Sequence, residues 1–228
     1  MAPTLRIDEA LHPCPCLPAL IWAEEIAAPE LSEQLPDPLA ELVTRAAAAG
    51  ESFWPPDVKG RVRQMLRHGK YKPSGRAKPA SEFLLKAAMD GRFPAIHPPV
   101  NVNNAVSLES GLPGSIFDTD RSGDRLLLRR GRADERYVFN PSGQEIELTD
   151  LLLVARDGPD GGVACGNPVK DSMATKIQAD TRRVVAVLYA PRDESPSQVE
   201  AWAKRFAALL SEWCQAREVG YLLVEPPA

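Results

Sequence analysis

Apolar and polar positions repeat with two different periods along this chain. From Asp37 the spacing is helical: the run D-P-L-A-E-L-V-T-R-A-A-A-A-G offers a capping residue, a proline at the first helical position and a closing glycine, and predicts a helix. Val58, Val62, Met65 and Leu66 predict a second over 56–68, ended by Gly69. Residues 81–90 read as a third, with Phe83, Leu84, Ala87 and Ala88 on one face. A fourth begins at Pro98 or Pro99 and carries Val102, Val106 and Ser110 on one side. Asn101, Asn103 and Asn104 lie inside it against their poor helix propensity, so something other than propensity holds them there.

After Gly111 the texture changes to short β-like runs over 115–117, 125–130, 136–139, 151–155, 163–165 and 183–189. A strand over 17–26 precedes the helices. Residues 196–218 predict a long amphipathic helix whose core stripe is Trp202, Phe206, Leu209, Leu210 and Trp213, and 220–224 a closing strand. Helices first and many strands later indicate an α+β fold rather than alternating parallel units.

The composition, 44% hydrophobic and 25% charged over 228 residues, supports one core with decorations: an N-terminal strand and helical segment over 1–70 packed on a main domain over 71–228. No eighteen apolar residues run together and the start lacks the features of a secretion signal, so a cytoplasmic protein without a membrane partner is expected. Cys14, Cys16, Cys165 and Cys214 are too scattered for a disulfide framework, and the H-P-C-P-C cluster lacks a second Cys/His pair at zinc-site spacing; reduced thiols and no metal are expected.

The net charge of −4 conceals a basic block. Lys59, Arg61, Arg63, Arg67, Lys70, Lys72, Arg76, Lys78 and Lys86 face Glu82 alone, and the block includes the loop Y-K-P-S-G-R-A-K-P-A. Arg61, Arg63, Arg67, Lys70, Lys72, Arg76 and Lys78 are thereby candidates to hold RNA phosphates, although a solvated helix with its loop has the same composition.

No G-x-S-x-G, H-E-x-x-H, Walker or dinucleotide motif occurs, and of His12, His68 and His97 the best candidate for chemistry is His97, although F-P-A-I-H-P-P reads first as the approach to a helix. What remains is polar residues at turns. Ser115, Asp118 and Asp120 follow G-L-P-G on a strand, where Asp118 and Asp120 would share a face and orient an ammonium group, or would cap the turn and pair with Arg121 or Arg125. The stretch N-P-V-K-D-S-M-A-T-K gathers Asn167, Lys170, Asp171, Ser172, Thr175 and Lys176; it is either a structural turn or a site whose lysine heads suit a carboxylate or phosphate.

The order N-x-x-S-L-x-x-G-L-P-x-x-x-x-D-x-D from Asn104 to Asp120, then Arg129-Arg130-Gly131 and a Ser/Thr-rich loop before Thr181, resembles the B3/B4 domain of the phenylalanyl-tRNA synthetase β subunit, in its free-standing form. The resemblance spans about Tyr71 to Tyr221. It implies a mixed sheet flanked by helices and a pocket that accepts a tRNA 3′ end and hydrolyses wrongly attached tyrosine with no cofactor. Carried onto this chain, that pocket comprises Asn104, Ser107, Ser115, Asp118, Asp120, Asn167, Lys170, Asp171, Ser172, Thr175 and Lys176. Ser115 stands where the synthetase module has histidine and Lys176 where it has glutamate, which removes the groups expected to read tyrosine or position water. Two functions follow: tRNA binding with trans-hydrolysis of misacylated aminoacyl-tRNA, or a non-catalytic module for a free amino acid or other small anionic metabolite.

Overall fold

Two strands are buried nearly throughout, and the rest of the fold is arranged on them. In the computed structural model, which describes residues 2–31 and 34–225, these are β2 (Cys16–Glu24) and β9 (Arg183–Pro191). Their near-continuous apolar runs fit strands covered on both faces. They pair antiparallel in register from Cys16 with Pro191 to Glu24 with Arg183. β3 (Gly114–Asp118) and β10 (Glu218–Leu223) complete an antiparallel sheet in the order β10-β2-β9-β3.

A second sheet has the order β1-β4-β7-β8, from β1 (Thr4–Ile7), β4 (Arg125–Arg130), β7 (Leu152–Arg156) and β8 (Val163–Gly166). It is mixed, because β1 runs parallel to β4 while the other pairs are antiparallel. β5 (Arg136–Val138) and β6 (Glu145–Glu147) form a separate hairpin. The sequence pattern omits β1 and β6. β1 is four residues, half of them polar, and β6 is Glu-Ile-Glu, so neither carries an apolar run, and β1 is recruited by a partner far along the chain.

The helices are α1 (Asp37–Ala49), α2 (Val58–Leu66), α3 (Ala80–Met89), α4 (Pro98–Ser110), the single turn α5 (Thr119–Ser122) and α6 (Pro196–Trp213). The α+β class stands. Asp37 is already helical and makes no side-chain cap bond, whereas Gly50 closes α1 at φ 57° as expected. α6 ends at Trp213, short of 218, because Gln215 turns at φ 51° and Glu218 is already paired with Glu24 in the sheet. Phe206, Leu209 and Leu210 are fully buried on its stripe, while Trp202 and Trp213 are half-buried against the same core.

α4 packs against β3 and α6 and is apolar or buried on almost every side. Its asparagines explain themselves there. Asn101 accepts the Ile96 N–H at 3.0 Å and donates to the Ile96 carbonyl at 3.2 Å, fastening the approach to the helix, and Asn103 donates to the Gly114 carbonyl at 3.3 Å, tying helix to strand. The helix stops at Gly111 (φ 77°), where a Cβ would lie 2.7 Å from Val58 Cγ1. All four cysteines are free and buried, and among the described residues no helix is long and apolar enough to cross a membrane.

Candidate functional site

The segment that leaves β8 is a turn pinned by its first residue. Asn167, 1% exposed, accepts the N–H groups of Val169 and Lys170 at 2.8 and 3.0 Å and donates to the Tyr137 hydroxyl at 2.5 Å. Tyr137 in turn donates to the Lys170 carbonyl at 2.6 Å. Ser115 donates to the Asn167 carbonyl at 3.2 Å while accepting from Tyr189 at 3.1 Å. A buried polar network of this kind fixes one geometry because each broken link strands a partner. Residues 167–176 are therefore a rigid turn, and the turn is also a wall.

It bounds a cavity of about 430 Å³ with α4 and β3. Ile96, Val100, Ile116, Val169 and Ile177 make the lining largely apolar. Against it stand His97, Asn103, Asn104, Asp171 and Lys176. Three buried polar atoms of this lining lack a protein partner: Asn103 Oδ1, His97 Nδ1 and Asp171 Oδ1. Such atoms are rare in folded proteins, and each needs an ordered water, an ion, a bound group or local strain to account for it. Burial raises Asp171 to about 7, against the opposing pull of the Ile116 N–H and the charge of Lys176. Two glycines make the close packing feasible: a Cβ on Gly114 would fall 2.5 Å from Asn103 Oδ1, and one on Gly166 2.2 Å from Asp171 Oδ1.

A larger cleft, about 1070 Å³, opens beside it between the basic loop and the β5–β6 hairpin. Lys70, Lys72 and Arg76 line it together with the rings of Tyr71, Phe83 and Phe139. Lys170 belongs to both hollows, its ammonium 3.6 Å from the Phe139 ring centroid. Burial, aided by the charge of Arg76, lowers its pKa.

Of the residues expected at the pocket, the fold brings Asn104, Asn167, Lys170, Asp171 and Lys176 to the cavity lining, with Ser115 fully buried in the network behind it. Ser107 is buried with its hydroxyl unpartnered, close to Gly114. Ser172 accepts the Ala174 N–H at 3.2 Å and Thr175 donates to the Cys165 carbonyl at 2.9 Å, so both hydroxyls serve the turn. Asp118 and Asp120 do not share a strand face, because β3 ends at Asp118 and the chain turns into α5. The Asp118 carboxylate caps that turn through the N–H groups of Asp120 (2.9 Å) and Arg121 (3.3 Å), and takes the Thr181 hydroxyl at 2.6 Å and Arg121 Nε at 3.0 Å. A buried carboxylate here is held by the donors around it, and Asp120 pairs instead with Arg183 at 3.0 Å.

The basic block divides. Arg61 is spent on Asp193 and Glu194, and Arg63 on Glu82 at 2.5 Å; both ion pairs anchor α2 to its neighbours. Lys78 is half-buried near the Glu51 charge, and Arg67 lines a different hollow. Lys70, Lys72 and Arg76 alone of the seven reach the cleft. Tyr71, Phe83 and Phe139 meet along the cleft from distant positions in the chain, so no local pattern marks them.

The B3/4 domain model matches residues 72–215. The chain belongs to that family. The β subunit of phenylalanine–tRNA ligase from Streptococcus pyogenes serotype M3 (strain ATCC BAA-595 / MGAS315) is 27% identical over 169 residues, covering 73% of this chain and 19% of the relative. That from Streptococcus mutans serotype c is 31% identical over 110 residues, covering 47% of this chain and 13% of the relative. This B3/4 protein thus spans at most about a fifth of the length of these curated relatives. Among solved structures, an N-terminal fragment of the phenylalanyl-tRNA synthetase β subunit from Pyrococcus horikoshii matches at a TM-score of 0.48 and 12% identity, over 98% of this chain and 54% of that one.

Proposed function

We propose that this B3/4 protein binds the aminoacylated 3′ end of a tRNA and hydrolyses a misattached amino acid in trans. The observation that carries the reading is Lys170, which lines both the small apolar cavity and the basic, aromatic-studded cleft. The cavity has the size and lining for one amino-acid side chain. The cleft offers Lys70, Lys72 and Arg76 for phosphates and the exposed Phe83 ring for a terminal base to stack on, beside Glu145 and Glu147 of the hairpin. The names of the relatives favour the same ligand.

In this reading Asp171 receives the α-ammonium of the aminoacyl group. Lys170 and Lys176, which have no carboxylate partner within ion-pair distance among the described residues, stabilise charge developing on the ester oxygen as water attacks. With Ser115 and Lys176 at the positions where the synthetase module reads tyrosine, tyrosine is not the proposed substrate. The test is a deacylation panel over mischarged tRNAs with wild type and Lys170→Ala. Release of one amino acid by wild type and its loss in the variant is expected; no tRNA binding at low salt together with no deacylation would sink the proposal.

A second reading, a non-catalytic module for a free amino acid, is favoured by the unpartnered Asp171 and Asn103 oxygens, which suit an ammonium ligand without RNA. A free amino acid at a hundred times its dissociation constant would stabilise the fold by about 2.7 kcal/mol. That stabilisation without any tRNA binding would select this reading over the first.

A further inference from the structure

A third hollow, of about 580 Å³, lies between the segment before β2, the end of α2, the end of β4 and the residues at the end of β9. Its wall carries His12, Arg61, Arg67, His68, Arg130 and Arg192. Asp193 is the one acidic side chain lining it, and Asp193 is bound to Arg61 at 3.1 Å. Among the described residues no carboxylate forms an ion pair with Arg67, Arg130 or Arg192.

Arg130 is the informative member. Other half-buried or buried arginines are answered by a carboxylate: Arg129 by Glu135 at 2.6 Å, Arg183 by Glu24 at 2.5 Å, and Arg63 by Glu82 at 2.5 Å. Arg130 has only the carbonyls of Leu66 and Asp150, each at 3.3 Å from Nη1, and its Nε is buried without a partner. Burial lowers its pKa, so the charge is held there at a cost. A guanidinium held by two carbonyls, with an idle buried N–H and Asp150 as the one carboxylate whose charge favours it, keeps donor capacity that a bound anion would complete.

We propose that this hollow is a phosphate-binding site, independent of the aminoacyl cavity. A phosphate monoester carries nearly two charges and three strong acceptors, and so answers several guanidinium forks at once, where a carboxylate answers one. The room around it accommodates a second phosphate or a nucleoside. The phosphate comes either from a free nucleotide-like metabolite or from a nucleic-acid terminus, which share this chemistry.

Because Arg130 is half-buried and bonded to two backbone carbonyls, the decisive variant is the exposed pair Arg67→Glu with Arg192→Glu. Calorimetric titration of the full chain with inorganic pyrophosphate should show saturable binding, weakened at least tenfold in the pair variant and unchanged in Arg217→Ala, whose exposed side chain pairs with Glu25 away from every hollow described above. Competition by adenosine monophosphate assigns a free-nucleotide source. Competition by a 5′-phosphorylated short RNA, but neither by its 5′-hydroxyl form nor by the mononucleotide, assigns a nucleic-acid end. No saturable binding at millimolar pyrophosphate, or equal binding by the pair variant, overturns the proposal. Failure of tRNA binding or deacylation leaves this result unaffected, so the two proposals fail separately.

Discussion

The carboxylate of Asp171 accepts the backbone N–H of Ile116 at 3.1 Å, joining the turn after β8 to the edge strand of the other sheet. One oxygen of that carboxylate thus holds the two walls of the cavity together. The other, Oδ1, is buried without a partner.

Stability should depend on this residue with a definite sign. The folded carboxyl titrates near 7, against about 3.8 when unfolded, so between these values the native state keeps a proton that the unfolded chain has released. The stabilisation is present at low pH and is lost as pH rises through the folded value. Asp171→Asn keeps an acceptor for Ile116 and removes the titration. Urea melts should find the variant more stable than wild type by about 1–3 kcal/mol near pH 8, with the gap closing near pH 4.

Ligand binding should be linked to the same proton. An ammonium group placed beside Asp171 favours the ionised form, so binding at about pH 7 releases part of a proton. Titration calorimetry in two buffers of different ionisation enthalpy should detect the release in wild type and none in Asp171→Asn.

Lys72→Ala with Arg76→Ala should weaken tRNA binding and lower the slope of log K against log salt by about 2, one for each phosphate that is no longer neutralised. Arg61→Ala should behave differently. Its side chain already holds Asp193 and Glu194, so thermal stability should fall while the salt slope stays close to that of wild type.

Gly166→Ala tests the packing behind the cavity. The added Cβ would meet Asp171 Oδ1 at 2.2 Å and Phe117 Cε1 at 2.5 Å, with Phe117 itself fully buried. Thermal melts should show a loss of about 1–3 kcal/mol, and ligand affinity should fall with it because Asp171 must shift.

Elements with local causes are legible in the sequence: α1, α3 and α4 from helical spacing and their glycine stops, α2 and α6 from helical spacing alone, since α2 ends at Leu66 before Gly69 and α6 at Trp213, and β2, β4, β7 and β9 from apolar runs. The sequence also carries the motif order from Asn104 to Asp120 that marks the family. Which polar residues face a hollow is settled in three dimensions. Asp118 and Asp171 look alike in sequence, yet Asp118 meets Thr181, Arg121 and a helix start that consume its oxygens, while Asp171 lands beside Ile116 with one oxygen left over. Arg129 and Arg130 are adjacent, yet one finds Glu135 and the other finds two carbonyls. Hydrogen-bond satisfaction and burial belong to pairs of residues brought together from distant parts of the chain, so no local pattern encodes them.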